Sequence, residues 1–207
     1  MGRALSVSEL YSKRRKVLPF TGEWKEAVGL PELKGSWLVY GPSRQGKTAF
    51  AIQCAKYLSN WGKVLYDSLE EGDSESLKAA FKRQRMEEVR RRVAVLDKEP
   101  ISELIERLKK KNSPNVIVID SVQYTFINLK DYHDFIKLFP NKLFIWISHE
   151  KNKEPQGMLA QKIMYDAMVK IRVSGYRANV ASRYVDGDGG HIDVWKEGAA
   201  AAHNEQF

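Results

Sequence analysis

The chain has 207 residues, 43% of them hydrophobic and 29% charged, a balance that supports a buried core and argues against wholesale disorder; at roughly 100–200 residues per domain it makes one domain with tails. Lys and Arg outnumber Asp and Glu by 34 to 26, a formal charge of +8 that suits a polyanionic partner, because neutralised phosphates release condensed counterions. The single Cys54 excludes an intrachain disulfide, no Cys/His cluster offers a zinc site, and no apolar run approaches the ~20 residues that span a bilayer. With no signal-peptide core at the N-terminus, the expectation is a soluble, cytoplasmic protein with no membrane partner.

Residues 1–34 mix a basic run, "YSKRRK", with the turn-like "LPFTGEW" and "GLPELKG", and are expected to form an N-terminal arm packed loosely on the core, with the apolar "KVLPF" free to meet a neighbouring subunit. The core then runs from 35 to 196. It opens with the strand-like "SWLVY", a Gly-rich turn, and "TAFAIQCAKYLSNWG", where Phe50, Cys54, Tyr57 and Leu58 fall at helical spacing. The strand "KVLYDS" precedes a charged helical stretch from about Ser74 to Arg92 and a strand "VAVLD". Next come the helix "ISELIERLKKK", the unbroken aliphatic strand "NVIVIDS", the helix "DYHDFIKLF" and the buried strand "LFIWIS". Alternating strands and helices predict an α/β fold with a mostly parallel central sheet and helices on both faces. From Met168 the segments "MVKIRV", "YRANVASRYVDG" and "HIDVWK" read as an antiparallel extension at the sheet edge. Residues 197–207 are expected as a flexible tail.

The chemistry is concentrated in "GPSRQGKT", residues 41–48. Gly41, Gly46, Lys47 and Thr48 complete the pattern G-x-x-x-x-G-K-[ST], set between a strand and a helix as phosphate binding requires. The glycines let backbone N–H groups wrap a phosphate at the positive end of the following helix. Lys47 would reach the terminal phosphates and the Thr48 hydroxyl would ligate Mg2+. The nucleotide set is Gly41, Ser43, Arg44, Gln45, Gly46, Lys47, Thr48 and Ala49, with Arg44 and Gln45 on the loop crest. Asp120 ends "VIVID" at the carboxyl edge of a buried strand, the place for a second metal ligand beside Thr48. Hydrolysis also needs a carboxylate to act on water, for which Glu70 and its neighbour Glu71 are the candidates.

Four stretches in order, "GPSRQGKT", "VLYDSLEEG", "VIVIDSVQ" and "FIWISHEKN", followed by "MLAQKIMYDAMVKIRV" and "SRYVDGDGGHIDVW", resemble the RecA-like P-loop ATPases, most closely the RadA repair proteins and the DnaB-type helicase core. The resemblance covers roughly residues 20 to 196. It implies ATP and magnesium as ligands, Glu70 as the water-activating carboxylate, Gln123 following the metal Asp, and His149 as the polar sensor that tells a DNA-facing loop whether the γ-phosphate is present. That loop would be Glu150 to Gln161, with Lys151, Lys153 and Gln156 as DNA contacts, and Tyr124 or Phe126 could stack on bases. Arg183 matches the Arg of the family's Asn-Arg-Phe-Gly signature and would act across a subunit boundary, with Arg177 and Lys170 as rivals; Ser182-Arg183-Tyr184-Val185 lacks the Asn and the Gly of that signature. The implied protein is a DNA-dependent ATPase of recombination, repair or replication, acting on DNA, with single strands favoured, as a homo-oligomeric ring or filament and in company with replication or recombination proteins.

Three other readings compete. A GTPase would need an Asp where "NKEP" has Pro155. A small-molecule kinase would need an Arg-bearing lid, for which "RQRMEEVRRR" is better explained as a solvated charged helix face. An ATP-switched assembly or helicase-loader protein would bind ATP and turn it over negligibly, even with DNA present.

Overall fold

The computed structural model describes residues 3–187 and 189–204. In chain order the elements are α1 (Val7–Ser12), α2 (Gly22–Val28), β1 (Gly35–Gly41), α3 (Lys47–Leu58), β2 (Val64–Ser68), α4 (Glu75–Arg83), β3 (Val93–Asp97), α5 (Ile101–Lys109), β4 (Val116–Asp120), α6 (Leu129–Leu138), β5 (Leu143–Lys151), β6 (Glu154–Pro155), α7 (Met158–Asp166), β7 (Val169–Ser174), β8 (Arg177–Ser182), β9 (His191–Asp193) and α8 (Lys196–His203). The strands form one sheet in the order β3-β2-β4-β5-β1-β7-β8-β9, and β6 pairs with β5. Neighbours from β3 to β7 are parallel, whereas β7–β8 and β8–β9 are antiparallel. Helices cover both faces, as two separate apolar clusters show: α2, α3 and α4 pack on one face, and α5, α6 and α7 on the other.

The aliphatic runs explain the centre of the sheet. β2 and β4 are buried at every position because each is sandwiched between helices, the pattern expected of parallel strands. The order also places the carboxyl ends of β1, β2, β4 and β5 side by side, since Gly41 pairs with His149, Ser68 with Asp120 and Asp120 with Ile147. That edge is where open α/β sheets bind ligands.

Two expectations about the ends of the chain are corrected. The arm is not loosely packed throughout: Leu18, Phe20, Trp24, Ala27 and Val28 are buried, so "KVLPF" turns Leu18 and Phe20 into its own core while Val17 stays exposed. Phe20 meets Tyr57 at 4.9 Å and Trp61 at 5.1 Å between ring centroids, and Trp24 stacks on Tyr57 at 4.5 Å. Fully burying one such side chain contributes about 1.5–3 kcal/mol, more than a surface arm supplies. Only α1 keeps the character of an arm, with no buried residue. At the other end, residues 196–203 form α8 with Gly198, Ala199 and Ala200 buried; alanine's helix propensity and small size let this segment lie beside Gly175, in the turn after β7. Residues 205–207 of the expected tail lie outside the described residues.

Candidate active site

A cavity of about 460 Å³ opens at the carboxyl edge, lined by Ser43, Arg44, Lys47, Thr48, Glu70, Glu71, Asp120, His149, Glu150 and Gln156 among others. Residues far apart in sequence therefore converge. Lys47 and Thr48 begin α3, whose N-cap Gly46 has φ +101°, a left-handed conformation that favours glycine. The first-turn N–H groups and the positive end of this 12-residue helix face an incoming anion. Gly41 is required for a different reason: a Cβ there would strike the carbonyl of Val173 on β7. Its absence lets β1 and β7 approach closely where the loop begins.

Lys47 Nζ donates to the carbonyl of Pro42 at 2.7 Å, folding the side chain back across its own loop. Burial lowers its pKa, opposed by Asp120, Glu70 and Glu150. Asp120 is buried, and burial pushes its carboxyl up to about 6, opposed by a hydrogen bond from Tyr66 and by Lys47 and reinforced by Glu70 and Glu71. The Tyr66 hydroxyl donates to Asp120 Oδ2 at 2.5 Å, which fixes that carboxylate's rotamer. The Asp120–Ser121 peptide bond is cis.

Glu70 follows β2, its N–H bound to the carbonyl of Asp120 at 3.0 Å. Its Oε2 lies 2.8 Å from His149 Nε2 and accepts from Ser121 Oγ at 3.3 Å. A carboxylate only accepts, so Nε2 carries the proton in this pair. Gln123 ties the next layer together: its Nε2 donates to Ser148 Oγ at 2.9 Å and to the Gln156 carbonyl at 2.8 Å, and its Oε1 accepts from His149 N at 3.2 Å. Gln156 N in turn donates to the His149 carbonyl at 2.9 Å.

The segment expected as a DNA-facing loop is in part a hairpin. Lys151 pairs with Glu154, and the two residues between them, Asn152 and Lys153, have φ of +55° and +66°, the type I′ pattern that matches strand twist. Lys151, Lys153 and Gln156 are exposed; Gln156 also lines the cavity, so the hairpin and the site share a residue. Beside them Phe126 is 91% exposed, with φ +52°, and Met158 is 79% exposed.

Ala49, Gln45 and Arg183, all expected at the site, do not line the cavity. Ala49 packs against the core. Gln45 turns its side chain toward Ser174 and Gly175. Arg183 lies at the opposite end of the sheet: its N–H binds the Met168 carbonyl, and Met168 N binds the carbonyl of Ser36 at the start of β1. It is exposed, with Nη2 3.1 Å from the Tyr165 carbonyl. Of its rivals, Arg177 is buried and paired with Asp193 at 2.7 Å, and Lys170 lies within β7 opposite Leu38. Sequence reasoning missed Tyr66 and the clamp of Arg172 on Glu150, at 2.8 and 2.9 Å. A tyrosine in a strand buried on both faces needs a partner for its hydroxyl, the one signal that pointed to the former.

The donor set fits magnesium: a carboxylate and a hydroxyl are hard oxygen ligands, and Mg²⁺ is ordinarily held by one or two carboxylates together with substrate phosphates. Among the described residues no group of three or more His, Cys, Asp or Glu is arranged to hold a metal, and no helix is long and apolar enough to cross a membrane.

No family model and no curated protein matches the chain. Among solved structures, an ATPase domain matches with a TM-score of 0.55 and 18% identity, over 81% of this chain and 84% of that one. Sheet order, the strand–loop–helix at 41–48 and this likeness agree: the chain has a RecA-like P-loop α/β fold.

Proposed function

We propose that the protein is a Mg²⁺-dependent ATPase that works as a homo-oligomer on DNA, single strands above all, in replication, recombination or repair. The observation that carries this reading is the convergence of Lys47, Thr48, Asp120, Glu70 and His149 on one cavity.

In this reading the 41–48 loop and the N-terminus of α3 bind the phosphates, and Lys47 neutralises the terminal ones. Thr48 and Asp120 hold magnesium, which supplies charge neutralisation on the phosphate oxygens. Glu70 orients and deprotonates the attacking water, and His149 holds the Glu70 carboxylate in place. Through Gln123 and Gln156 the state of this pair reaches the Lys151–Lys153 hairpin, which contacts the DNA backbone, while Phe126 offers a ring for base stacking. Arg183, at the far end of the sheet, stabilises the transition state in a neighbouring subunit. The neighbour of similar structure is an ATPase domain, which supports this reading by fold.

The test is ATP turnover with and without single-stranded DNA at low and moderate salt. DNA-stimulated turnover supports the reading. Turnover indifferent to DNA at every salt removes the DNA component, and binding without turnover favours an ATP-switched loader.

A further inference from the structure

Gln45 sits at the crest of the phosphate loop between Arg44, φ +61°, and Gly46, φ +101°. The chain reverses on both sides of it. Its amide oxygen accepts from Gly175 N at 2.8 Å and from Ser174 Oγ at 3.1 Å, and its carbonyl accepts from Tyr176 N at 3.2 Å. Three consecutive residues of one turn therefore hold one residue of the loop.

That turn is a rigid seat. Ser174 pairs with Arg177, and Gly175 and Tyr176 between them have φ of +55° and +59°, a two-residue type I′ hairpin. It is supported from behind: Val194 N donates to the Tyr176 carbonyl at 2.8 Å, and Trp195 meets the Tyr176 ring edge-on at 5.2 Å. Gly175 faces Ala202 of α8, and a Cβ on Gly46 would stand 3.4 Å from both the Tyr176 ring and Val194. The crest is backed by this turn, and Gln45 does not line the cavity.

Resting on the nucleotide reading above, we propose that Gln45 is a positioning residue: it anchors the crest of the phosphate loop to the Ser174–Tyr176 turn and so presets the loop for phosphate before any nucleotide arrives. A loop ordered beforehand does not have its ordering entropy subtracted from the binding free energy. The side chain touches no phosphate and acts through backbone shape, so its loss weakens all of the loop's phosphate bonds together. Because α8 covers the same turn, displacement of α8 loosens the loop by the same route, and by reciprocity nucleotide holds α8 in place.

The test is calorimetric titration of ADP with magnesium into the full chain and into Gln45→Met, Ser174→Ala and the double variant, with each variant's melting temperature measured without nucleotide. Met preserves length and removes the acceptor. The expected result is affinity about tenfold weaker for Gln45→Met, a smaller loss for Ser174→Ala, and a double variant no weaker than Gln45→Met, since both changes break the same anchor. Melting temperatures should move little, which separates positioning of the loop from a general loss of folding. Wild-type affinity in Gln45→Met, or losses that add in the double variant, would overturn the proposal. Absence of ADP binding to the wild-type chain would overturn the nucleotide reading itself and this proposal with it, a result distinct from binding that ignores Gln45.

Discussion

His149 Nε2 stands 2.8 Å from Glu70 Oε2, joining the end of β5 to the residue just beyond β2 across the intervening strand β4. The pair is bonded on one side to the β4 segment, through Ser121 and Gln123, and on the other to the 151–154 hairpin, through Gln156. A change at the Glu70 carboxylate therefore has a hydrogen-bonded route through His149 to Gln156, the residue that follows the strand pair carrying Lys151.

The hairpin lysines give a salt-dependent prediction. Replacing Lys151 and Lys153 with Glu weakens single-stranded DNA binding and flattens its salt dependence, by a slope of about 0.7 for each phosphate no longer neutralised. Fluorescence anisotropy with a labelled oligonucleotide at several salt concentrations measures this. Nucleotide affinity in the same variant is unchanged.

Arg183 yields a complementation test. Arg183→Ala lowers turnover by on the order of 10³-fold, the lower range for residues supplied in trans. Mixing it with Glu70→Gln subunits restores part of the activity, because some interfaces then pair an intact Glu70 with an intact Arg183. Two inactive populations that stay inactive on mixing, while assembling together, would exclude this residue from a shared site.

The buried arm predicts a stability effect. Phe20→Ala destabilises the chain by about 3–5 kcal/mol, seen in urea denaturation at protein concentrations where no assembly forms. A residue that served only at a subunit boundary would leave monomer stability unchanged.

Asp67 is fully buried, its Oδ1 accepts from Glu99 N at 3.1 Å, and its Oδ2 has no hydrogen-bond partner. Burial raises its pKa to about 7, reinforced by the Glu99 and Asp97 carboxylates and opposed by the Glu99 backbone bond and Arg107. The unfolded chain releases this proton near pH 4, so the native state binds more protons between about pH 4 and 7. Stability from this group is full below pH 4, is lost as pH rises, and levels off above 7. Asp67→Asn therefore gains on wild type by up to a few kcal/mol between pH 5 and pH 8, read as a difference in melting temperature that widens with pH.

Local patterns made the centre of the fold legible in the sequence. The aliphatic runs of β4 and β5 and the strand–loop–helix at 41–48 carry their own signatures, and Lys47, Thr48 and Asp120 follow from their positions on those elements, whereas Glu70, just beyond β2, is singled out from its neighbour Glu71 only by the family resemblance. Features set by tertiary packing were not legible. Phe20 sits in a turn-like, basic stretch that gives no sign of the Tyr57 and Trp61 rings it meets, and "EGAAAAH" reads as a tail unless the turn at Gly175 that it covers is known. Gln45 shows the same limit inside the motif: its spacing assigns it to the nucleotide, while its partners lie about 130 residues away in sequence on β7 and its turn.

The most direct measurement is a comparison of the wild-type chain with Glu70→Gln for both ATP binding and ATP turnover in magnesium, with Lys47→Ala as the binding-deficient control. If Glu70 activates water in this cavity, Glu70→Gln binds ATP about as tightly as wild type and turns it over at least about 100-fold more slowly, as loss of a general base requires. Turnover that survives Glu70→Gln would contradict the assignment and move the catalytic carboxylate elsewhere.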